Sequence, residues 1–372
     1  MRGIGQSRAT WYAPWVVAFG MIAAACTAAT PPPAPVPTAN GPSTPPSFGT
    51  TDDVTIAFHS DPGGRDDTFA MDAAGGQLVA VTDGNETVAR PYWSPDGTRL
   101  LIACCTGGSE QLFLAAGPGA PLVAIAPDVP NAVDPAWSPD GRTIAFGAPD
   151  DGMLYLVDVT DGIPGEPRMV VSGAAPSWSP DGTRLAYFAQ VDGNLDIYSV
   201  AADGSDVQRL TGDPAPEYSP AWSPNGERIA FVSERDGDQD IAVMDIDGTH
   251  HVDVSRDRWP DEALAWAPDG RRIAFVAYLD GADPHSIGDG NAEIVVVSAD
   301  GSHRRNVSRN PWWDGDPSWS PDGLSIAFTR RTDHATIYVM RFDGSDQRRL
   351  RGTPGRANDC CPAWRPSGTV TP

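Results

Sequence analysis

A five-residue core, Trp-Ser-Pro-Asp-Gly, recurs in identical or closely related form along this chain of 372 residues. Between successive copies, the Trp residues are spaced by 44, 41, 44, 44, 53 and 45 residues. A repeat period in the forties is typical of β-propellers and solenoids, in which each repeat is one supersecondary unit. The copies begin at Trp93, Trp137, Trp178, Trp222, Trp266, Trp319 and Trp364.

Each period contains the same succession of short apolar runs. After the Gly comes a run such as TIAF or RIAFV, then a loop rich in Asp and Gly, and then a second run such as DIYSV or EIVVV. A shorter run follows, as in VQRL. With the Trp run, this makes four β-strands per period and leaves no helical stretch of useful length. The pattern predicts an all-β propeller of four-stranded blades.

The repeated motif has a structural explanation that outweighs a catalytic one. Pro and Asp-Gly let the chain reverse between two strands, and Gly supplies a backbone conformation that other residues adopt with strain. A large apolar Trp in every unit is expected to pack between neighbouring sheets. We therefore interpret the motif acids as turn-forming residues, not paired catalytic acids: Asp96, Asp140, Asp181, Asp269 and Asp322.

The two ends of the repeat region complement each other. The first run, in residues 53–60, has no Trp strand before it, and the last Trp strand, in residues 360–368, has no unit after it. The C-terminal strand is therefore expected to become the inner strand of the first blade and to close the ring. This gives seven blades of about 45 residues. Six blades, with one irregular unit, is the alternative.

Period, strand order and the Trp-Ser-Pro-Asp-Gly core together resemble the TolB-type, or WD-like, β-propeller repeats over residues 54–366. The same repeat occurs in propeller domains of prolyl-oligopeptidase-type hydrolases and of some polysaccharide lyases, so the resemblance implies a fold more firmly than a function. TolB itself carries a small α/β domain ahead of its propeller. We expect no such domain here, because the 52 residues before the repeats are interpreted as a signal peptide and a linker.

The N-terminal segment predicts export and membrane anchoring. Arg2 and Arg8 precede an apolar run at 11–25, which is short for a membrane span and ends in three alanines before Cys26. This is similar to a bacterial lipoprotein cleavage site. We expect a signal peptide at 1–26 with lipidation of Cys26, a Pro/Ala/Thr-rich linker at 27–52 and a propeller at 53–368. An ordinary signal peptide cut near the alanines is the alternative.

The charge distribution argues against nucleic-acid binding. The net charge is −23, and all 26 basic residues are Arg. A surface this acidic repels a phosphate backbone. Arginines gather in the last blades, where they are interpreted as solvated charges on edge strands that discourage edge-to-edge pairing. These arginines are Arg304, Arg305, Arg330, Arg331, Arg348, Arg349 and Arg351.

The sequence shows no catalytic signature. It has no G-x-S-x-G elbow, no H-E-x-x-H, no phosphate loop and no dinucleotide fingerprint. The six histidines show no metal-ligand spacing, and no metal or cofactor is expected beyond a weak possibility of Ca²⁺ at Asp236, Asp238 and Asp240. We therefore expect a non-enzymatic, monomeric, lipid-tethered propeller outside the cytoplasm that binds an envelope protein, a peptide or a glycan. The alternative is a carbohydrate-active lyase or hydrolase built on face loops.

One propeller face is predicted to carry the binding site. The Ser-Pro-Asp-Gly turns lie on one face, and the loops before each Trp strand and after each IAF-like strand share the other, which we call the loop-bearing face. This second face carries a long insertion at 279–293 and additional aromatic residues. Loop aromatics on a rigid scaffold are good recognition anchors, although such rings also cover blade ends. The candidate binding residues are Tyr218, Trp259, His285, Asp289, Trp312 and Trp313.

The four remaining cysteines form two vicinal pairs, Cys104–Cys105 and Cys360–Cys361. Ring closure would place the second pair on the inner strand of blade one, next to blade two, which carries the first pair. In an oxidising compartment, at least one disulfide between the pairs is therefore expected. The connectivity stays open, because four cysteines allow three pairings. Bonds within each vicinal pair and a four-thiolate zinc site are the alternatives.

Overall fold

The computed structural model describes residues 55–62, 66–82, 87–106, 109–235, 237–256, 259–278, 291–350, 352–353 and 357–367, with backbone alone for 87–89, 105 and 106. Within these ranges the regular structure consists of 29 strands. No helix in these ranges is long and apolar enough to cross a bilayer. The strands are β1 (Ile56–Ser60), β2 (Asp67–Met71), β3 (Val79–Ala80), β4 (Thr87–Trp93), β5 (Leu100–Thr106), β6 (Ser109–Ala115), β7 (Val123–Ile125), β8 (Val133–Trp137), β9 (Thr143–Ala148), β10 (Met153–Thr160), β11 (Ile163–Pro164), β12 (Arg168–Ser172), β13 (Ala174–Trp178), β14 (Arg184–Val191), β15 (Asn194–Ala201), β16 (Gln208–Arg209), β17 (Glu217–Trp222), β18 (Arg228–Ser233), β19 (Asp240–Asp245), β20 (Val252–Asp253), β21 (Asp261–Trp266), β22 (Arg272–Tyr278), β23 (Ala292–Ser298), β24 (Arg305–Asn306), β25 (Trp313–Trp319), β26 (Ser325–Arg331), β27 (Ala335–Arg341), β28 (Arg348–Arg349) and β29 (Asp359–Trp364).

The strands form seven antiparallel sheets, which are the blades of a seven-bladed propeller. Blade 1 has the order β29-β1-β2-β3, and blades 2 to 7 follow in chain order from β4 onward. The C-terminal strand β29 pairs with β1, with Ile56 opposite Trp364 and Ser60 opposite Asp359. The predicted blade number and the predicted closure of the ring are both confirmed. Blade 3 departs from the four-strand pattern, because both β11 and β12 pair with β10.

Apolar side chains fill the spaces between neighbouring blades. One cluster, for example, joins Leu101 and Leu112 of blade 2 to Phe146 and Val157 of blade 3. The middle strands of each blade are buried on both sides, because alternate residues point toward the two neighbouring blades. This explains why the IAF-like runs are continuously apolar and not alternating.

The repeated Trp residues link each blade to the one before it. In five blades the indole N–H donates to a carbonyl on the inner strand of the preceding blade, for example from Trp93 to Ala363 at 3.1 Å and from Trp266 to Ala221 at 3.0 Å. Trp222 and Trp364 are arranged differently, because the preceding blade has a serine at this point of its inner strand. There the serine hydroxyl accepts the Trp backbone N–H, at 2.9 Å from Ser177 and 3.2 Å from Ser318. The predicted packing role of the Trp residues is confirmed.

The motif acids form the turns, as the sequence predicts. In blade 2 the Ser94 hydroxyl donates to Asp96 Oδ1 at 2.6 Å, and the same oxygen accepts the Thr98 N–H at 3.0 Å. Gly97 completes the turn at a φ of 66°, in the left-handed region that favours glycine. The Ser94 hydrogen bond and those from Thr98 lower the pKa of Asp96 despite its partial burial.

Candidate functional site

The innermost strand of every blade carries a β-bulge that turns one residue into the central channel. The pairing register shifts in all seven inner strands, for example between Val133 and Ala136 and between Gly315 and Ser318. Bulges of this kind re-aim a side chain. The equivalent residue lies three positions before the motif Trp, and in six blades its φ is near +50°. These residues are Arg90, Asp134, Ala175, Ser219, Ala263, Asp316 and Cys361.

An ion pair crosses the channel. Arg90 Nη2 of blade 2 lies 3.1 Å from Asp316 Oδ1 of blade 7, although blade 1 separates these two blades in the ring. The other oxygen of Asp316, Oδ2, accepts the Thr329 hydroxyl at 3.0 Å. Asp316 is thus held from two sides, while the Arg90 side chain remains 46% exposed. The guanidinium is accessible from the channel in spite of its partner.

Glu110 and Asp134 add two further carboxyl groups to this ion pair. We call the four residues the channel cluster: Arg90, Glu110, Asp134 and Asp316. Burial raises the pKa of Asp134 to about 7, against the opposing charge of Arg90. Burial, followed by the charge of Asp134, raises the pKa of Glu110 to about 7. Asp134 Oδ2 is buried and accepts no hydrogen bond from the described residues. Perturbed carboxyl groups that are gathered in a concavity are characteristic of functional sites.

We expect the channel cluster to make folding stability pH-dependent. The folded chain holds protons on Glu110 and Asp134 up to a pH of about 7, whereas the unfolded chain releases them near their ordinary, lower values. The stabilisation is therefore present at acidic pH and is lost as pH rises through 7. Replacing Glu110 by Gln should raise the free energy of unfolding at pH 8 relative to the original chain, by on the order of 1–3 kcal/mol.

Urea unfolding of the original chain and of the Glu110→Gln variant at pH 5.5 and pH 8 measures this effect. The exposed Glu166→Gln variant is the matched control, and it should follow the original chain at both pH values. A Glu110→Gln variant with the same pH dependence as the control would show that the pKa of Glu110 is not raised in the folded chain.

The aromatic residues that the sequence predicts as binding residues differ in their exposure to solvent. Trp312 is 47% exposed on the loop-bearing face, and Trp259 is partly exposed. Tyr218 and Trp313 are buried, so their rings pack against the blades. The Tyr218 hydroxyl donates to Glu234 at 3.0 Å, and the Arg331 guanidinium stacks 4.6 Å from the ring of Trp313. His285 and Asp289 lie outside the described residues, and so does most of the 279–293 insertion.

The gathered arginines are of two kinds. The arginines at 304, 305, 348 and 349 are exposed on or beside the outermost strands β24 and β28, as the interpretation of solvated edge strands predicts. That interpretation is wrong for Arg330, which is buried in the second strand of blade 7. Its guanidinium makes two hydrogen bonds of 2.7 Å to the carboxylate of Asp314, which is also buried.

The cross-pair disulfide is not seen among the described side chains. Cys104 is buried in an apolar cluster between blades 1 and 2, and the side chain of Cys105 lies outside the described part of the chain. Cys360 Sγ lies 2.7 Å from Cys361 Sγ instead. The packing of β4 against β29 shows that the inner strands of blades 1 and 2 are neighbours, whereas the meeting of the two cysteine pairs and the bond between them stay predictions.

Within the described ranges, no group of three His, Cys, Asp or Glu side chains is arranged to hold a metal ion. Asp240, one of the candidate Ca²⁺ ligands, is buried and accepts the Ser255 hydroxyl at 2.8 Å. Asp236 lies outside the described residues. The weak Ca²⁺ possibility therefore stays a prediction.

A second concave region lies on the face of the Ser-Pro-Asp-Gly turns, between blades 6 and 7. It is a groove of about 410 Å³ with an apolar floor that includes Val307 and Phe342. Arg272 borders it, but its guanidinium is already held by Asp269 at 2.7 Å and stacks 4.5 Å from the ring of Phe342. This arginine therefore consolidates the contact between the blades.

The sequence carries a signal for three residues of the channel cluster. Arg90, Asp134 and Asp316 each precede a proline in the Trp strand, at the same position of the repeat. Aligning the repeats on the Trp places all three in one ring of the propeller. Glu110 has no such signal, because it is the second residue of the third strand of blade 2 and comes into the cluster through tertiary packing.

Fold and channel together define a seven-bladed β-propeller whose central channel contains an arginine and three carboxyl groups. Residues 167–242 and 238–371 match the PD40 family, the TolB beta propeller domain. The chain therefore belongs to the TolB β-propeller family.

Individual proteins match over shorter stretches or at low identity. Tol-Pal system protein TolB 1 of Novosphingobium aromaticivorans is 40% identical over 80 residues, which are 21% of this chain and 17% of that protein. The chain thus matches only a small part of the length of this relative. The structure of a TolB from Agrobacterium tumefaciens, described as putative, aligns with a TM-score of 0.52 at 24% identity, covering 78% of this chain and 99% of that one. An oligogalacturonate lyase from Vibrio parahaemolyticus aligns with a TM-score of 0.58 at 16% identity, covering 80% and 85%. These structural likenesses show the fold alone.

Proposed function

We propose that this chain is a non-catalytic binding propeller of the bacterial envelope, which holds a segment of a protein or peptide partner at its loop-bearing face and in the channel behind it. The observation that carries the proposal is the channel cluster. It gathers an accessible guanidinium and carboxyl groups with perturbed pKa values in one concavity. Membership of the TolB propeller family supports a binding role.

The cluster favours a partner that supplies hydrogen-bond donors. A buried polar atom without a hydrogen bond costs about 1–3 kcal/mol, which a donor from the partner can recover at Asp134 Oδ2. A net charge of −23 attracts a basic segment and accelerates its association. Trp312 directly precedes β25, the strand that carries Asp316, and its exposed ring can anchor the same segment.

The location of the protein is part of the proposal. The apolar run that ends at Cys26 supports export with a lipid anchor, and residues 27–52 would act as a semi-rigid spacer between bilayer and propeller. Similarity to a protein named for the Tol-Pal system agrees with a role in a multi-protein assembly. The loop-bearing face would then be presented to envelope proteins and peptides, or to a glycan.

Substitutions in the channel and on the loop-bearing face should weaken partner capture. Asp134→Asn and Trp312→Ala are each expected to reduce recovery of partners from an envelope extract by about tenfold or more, equivalent to at least 1.4 kcal/mol of binding free energy. Quantitative mass spectrometry of the captured proteins measures the change.

The matched controls lie on the outer edge of blade 3 and on the face opposite the loop-bearing face. Met169→Ala removes a side chain that is 64% exposed on β12, and Asp203→Asn changes a hairpin acid that is exposed on the opposite face. Both should leave capture intact, and circular dichroism should show that all four variants are folded. Equal capture by the channel variants and the controls would exclude this face.

The competing function is that of a carbohydrate-active lyase or hydrolase. The likeness to the oligogalacturonate lyase suggests this function, although that likeness by itself shows only a shared fold. Incubating the purified chain with oligogalacturonates, with and without Mn²⁺, discriminates between the two functions. Formation of unsaturated products would overturn the non-catalytic proposal.

A further inference from the structure

Two adjacent sulfur atoms lie in the channel wall of blade 1. Cys360 Sγ and Cys361 Sγ are 2.7 Å apart, closer than two non-bonded sulfur atoms pack but beyond the covalent distance of about 2.05 Å. Both side chains are partly exposed, so small reagents can reach them from the channel. Neither the binding role nor the packing of the blades requires this vicinal pair.

The backbone at the pair is held in place independently of the sulfur atoms. Cys361 is the bulge residue of its inner strand, with a φ of 58°, and the equivalent residues of five other blades have a φ near +50°. Its N–H donates to the hydroxyl of Thr329 at 3.1 Å, and that hydroxyl donates to Asp316 at 3.0 Å. The left-handed conformation at the second cysteine is therefore supplied by the fold, and a bond between the sulfurs does not have to create it.

A histidine is positioned to accept a proton from Cys360. His59 Nδ1 lies 3.4 Å from Cys360 Sγ, and His59 Nε2 lies 3.0 Å from Asp66 Oδ1. With its Nε2–H donated to the carboxylate, the imidazole presents the lone pair of Nδ1 to the thiol. A thiol, a base and a carboxylate that orients the base form the arrangement that activates cysteine nucleophiles.

We propose that Cys360 and Cys361 are a redox-active vicinal dithiol, which low-molecular-weight disulfides oxidise to a disulfide between the two adjacent residues. In the first step His59 Nδ1 takes the Cys360 proton, and the thiolate attacks one sulfur of the reagent disulfide. A mixed disulfide forms and one reagent thiolate leaves. In the second step the Cys361 thiolate attacks Cys360 Sγ, the mixed disulfide breaks and the second reagent thiolate leaves. Two cysteine thiols are oxidised and one reagent disulfide is reduced to two thiols.

The environment of Cys360 slows the reduction of a disulfide that contains it. The hydrogen bond with Cys361, followed by burial, raises the pKa of the Cys360 thiol. A thiol of raised pKa is a poor leaving group, so a disulfide that contains it resists reduction. The same raised pKa makes the thiolate scarce, and His59 compensates for that scarcity during oxidation.

Peptide mapping tests the proposal on the full propeller chain. The protein is reduced with dithiothreitol, freed of reductant, exposed to oxidised glutathione, alkylated and digested without reduction. We expect the peptide that contains both Cys360 and Cys361 to be unalkylated and lighter than the reduced peptide by two hydrogen atoms. The Cys104→Ser/Cys105→Ser double variant is the matched control and should give the same peptide. A crosslink from this peptide to the one containing Cys104 and Cys105, or complete alkylation of both thiols, would overturn the proposal.

The role of His59 has a kinetic test. His59→Gln should reach the same oxidised end state, but its oxidation should be slower by roughly 100-fold, as expected for loss of a general base. Its rate should also rise with pH more steeply than that of the original chain. An unchanged rate and pH profile would remove His59 from the mechanism. In the reduced chain, phenylarsine oxide, which bridges two thiols, should protect both cysteines from alkylation, and failure to protect would contradict a vicinal dithiol.

Discussion

Truncation of the chain before residue 359 should abolish cooperative folding of the whole propeller. The lost segment contains β29, the inner strand of blade 1, which pairs with β1 and packs against blades 2 and 7. Buried Asp359 accepts hydrogen bonds from the hydroxyls of Ser60 and Thr353 at 2.6 and 2.7 Å, and the carbonyl of Ala363 accepts the indole N–H of Trp93. Their loss opens the ring and exposes two blade interfaces together.

The expected effect is the entire free energy of unfolding, about 5–15 kcal/mol for a native domain, because an open ring exposes apolar faces and an unpaired strand. Urea unfolding followed by tryptophan fluorescence measures it. A synthetic peptide of residues 357–367, added in trans, should restore a cooperative transition by inserting as a strand next to β1. A peptide of the same composition in reversed order is the control.

A truncated chain that keeps the midpoint of the intact protein would show that β29 does not close the ring. Failure of the peptide to rescue a soluble truncated chain would contradict strand insertion as the route of closure.

The sequence was sufficient to predict the fold because the constraint is repeated. The Trp strand and the IAF-like strand have the same local geometry in every repeat. Seven such repeats are compatible with one closed arrangement. Closure by the last strand was predictable from complementarity of the ends, as the pairing of Ile56 with Trp364 confirms. The linear pattern also predicted that a motif Asp such as Asp96 forms a turn, because both its partners lie within four residues.

The channel cluster was beyond that reasoning because its contacts are distant in sequence. Arg90 and Asp316 are 226 residues apart and meet only because inner strands of different blades share one channel. The same applies to Cys360 and His59, which come together through closure of the ring. Exposure was also misjudged from sequence for aromatic rings: Trp312 and Trp313 are adjacent, yet only Trp312 faces solvent. Trp312 lies in the loop before β25, whereas Trp313 begins that strand, and the register that buries its side chain comes from the neighbouring strand.

Arg330 shows how register converts a charged pair in the sequence into a buried ion pair. In β26 it lies opposite Asp314 of β25, so its guanidinium meets the carboxylate within one blade. It also stacks 4.5 Å from the ring of Tyr338 and 5.2 Å from that of Phe328. Asn310 donates a further hydrogen bond to Asp314 at 2.6 Å. Both charges are thus removed from water and satisfied by one another.

Asp314→Leu should therefore lower the free energy of unfolding by about 3–5 kcal/mol, because it leaves a buried guanidinium without its counter-charge. The double variant Asp314→Leu/Arg330→Met removes both charges and fills the space with apolar atoms. It should recover most of that loss, since replacement of a complete buried pair by apolar residues is often neutral or stabilising. Urea unfolding of the two variants and the original chain at pH 7 measures both effects.

A surface ion pair of similar geometry is the control. Arg184 Nη1 lies 2.6 Å from Asp206 Oδ2, but the Asp206 side chain is 57% exposed. Asp206→Asn should cost much less than Asp314→Leu, because water replaces the lost partner and asparagine tolerates the φ of 51° at this position. If Asp314→Leu cost as little as Asp206→Asn, or if the double variant were no more stable than Asp314→Leu, then desolvation of the unpaired guanidinium would not be the cause of the loss.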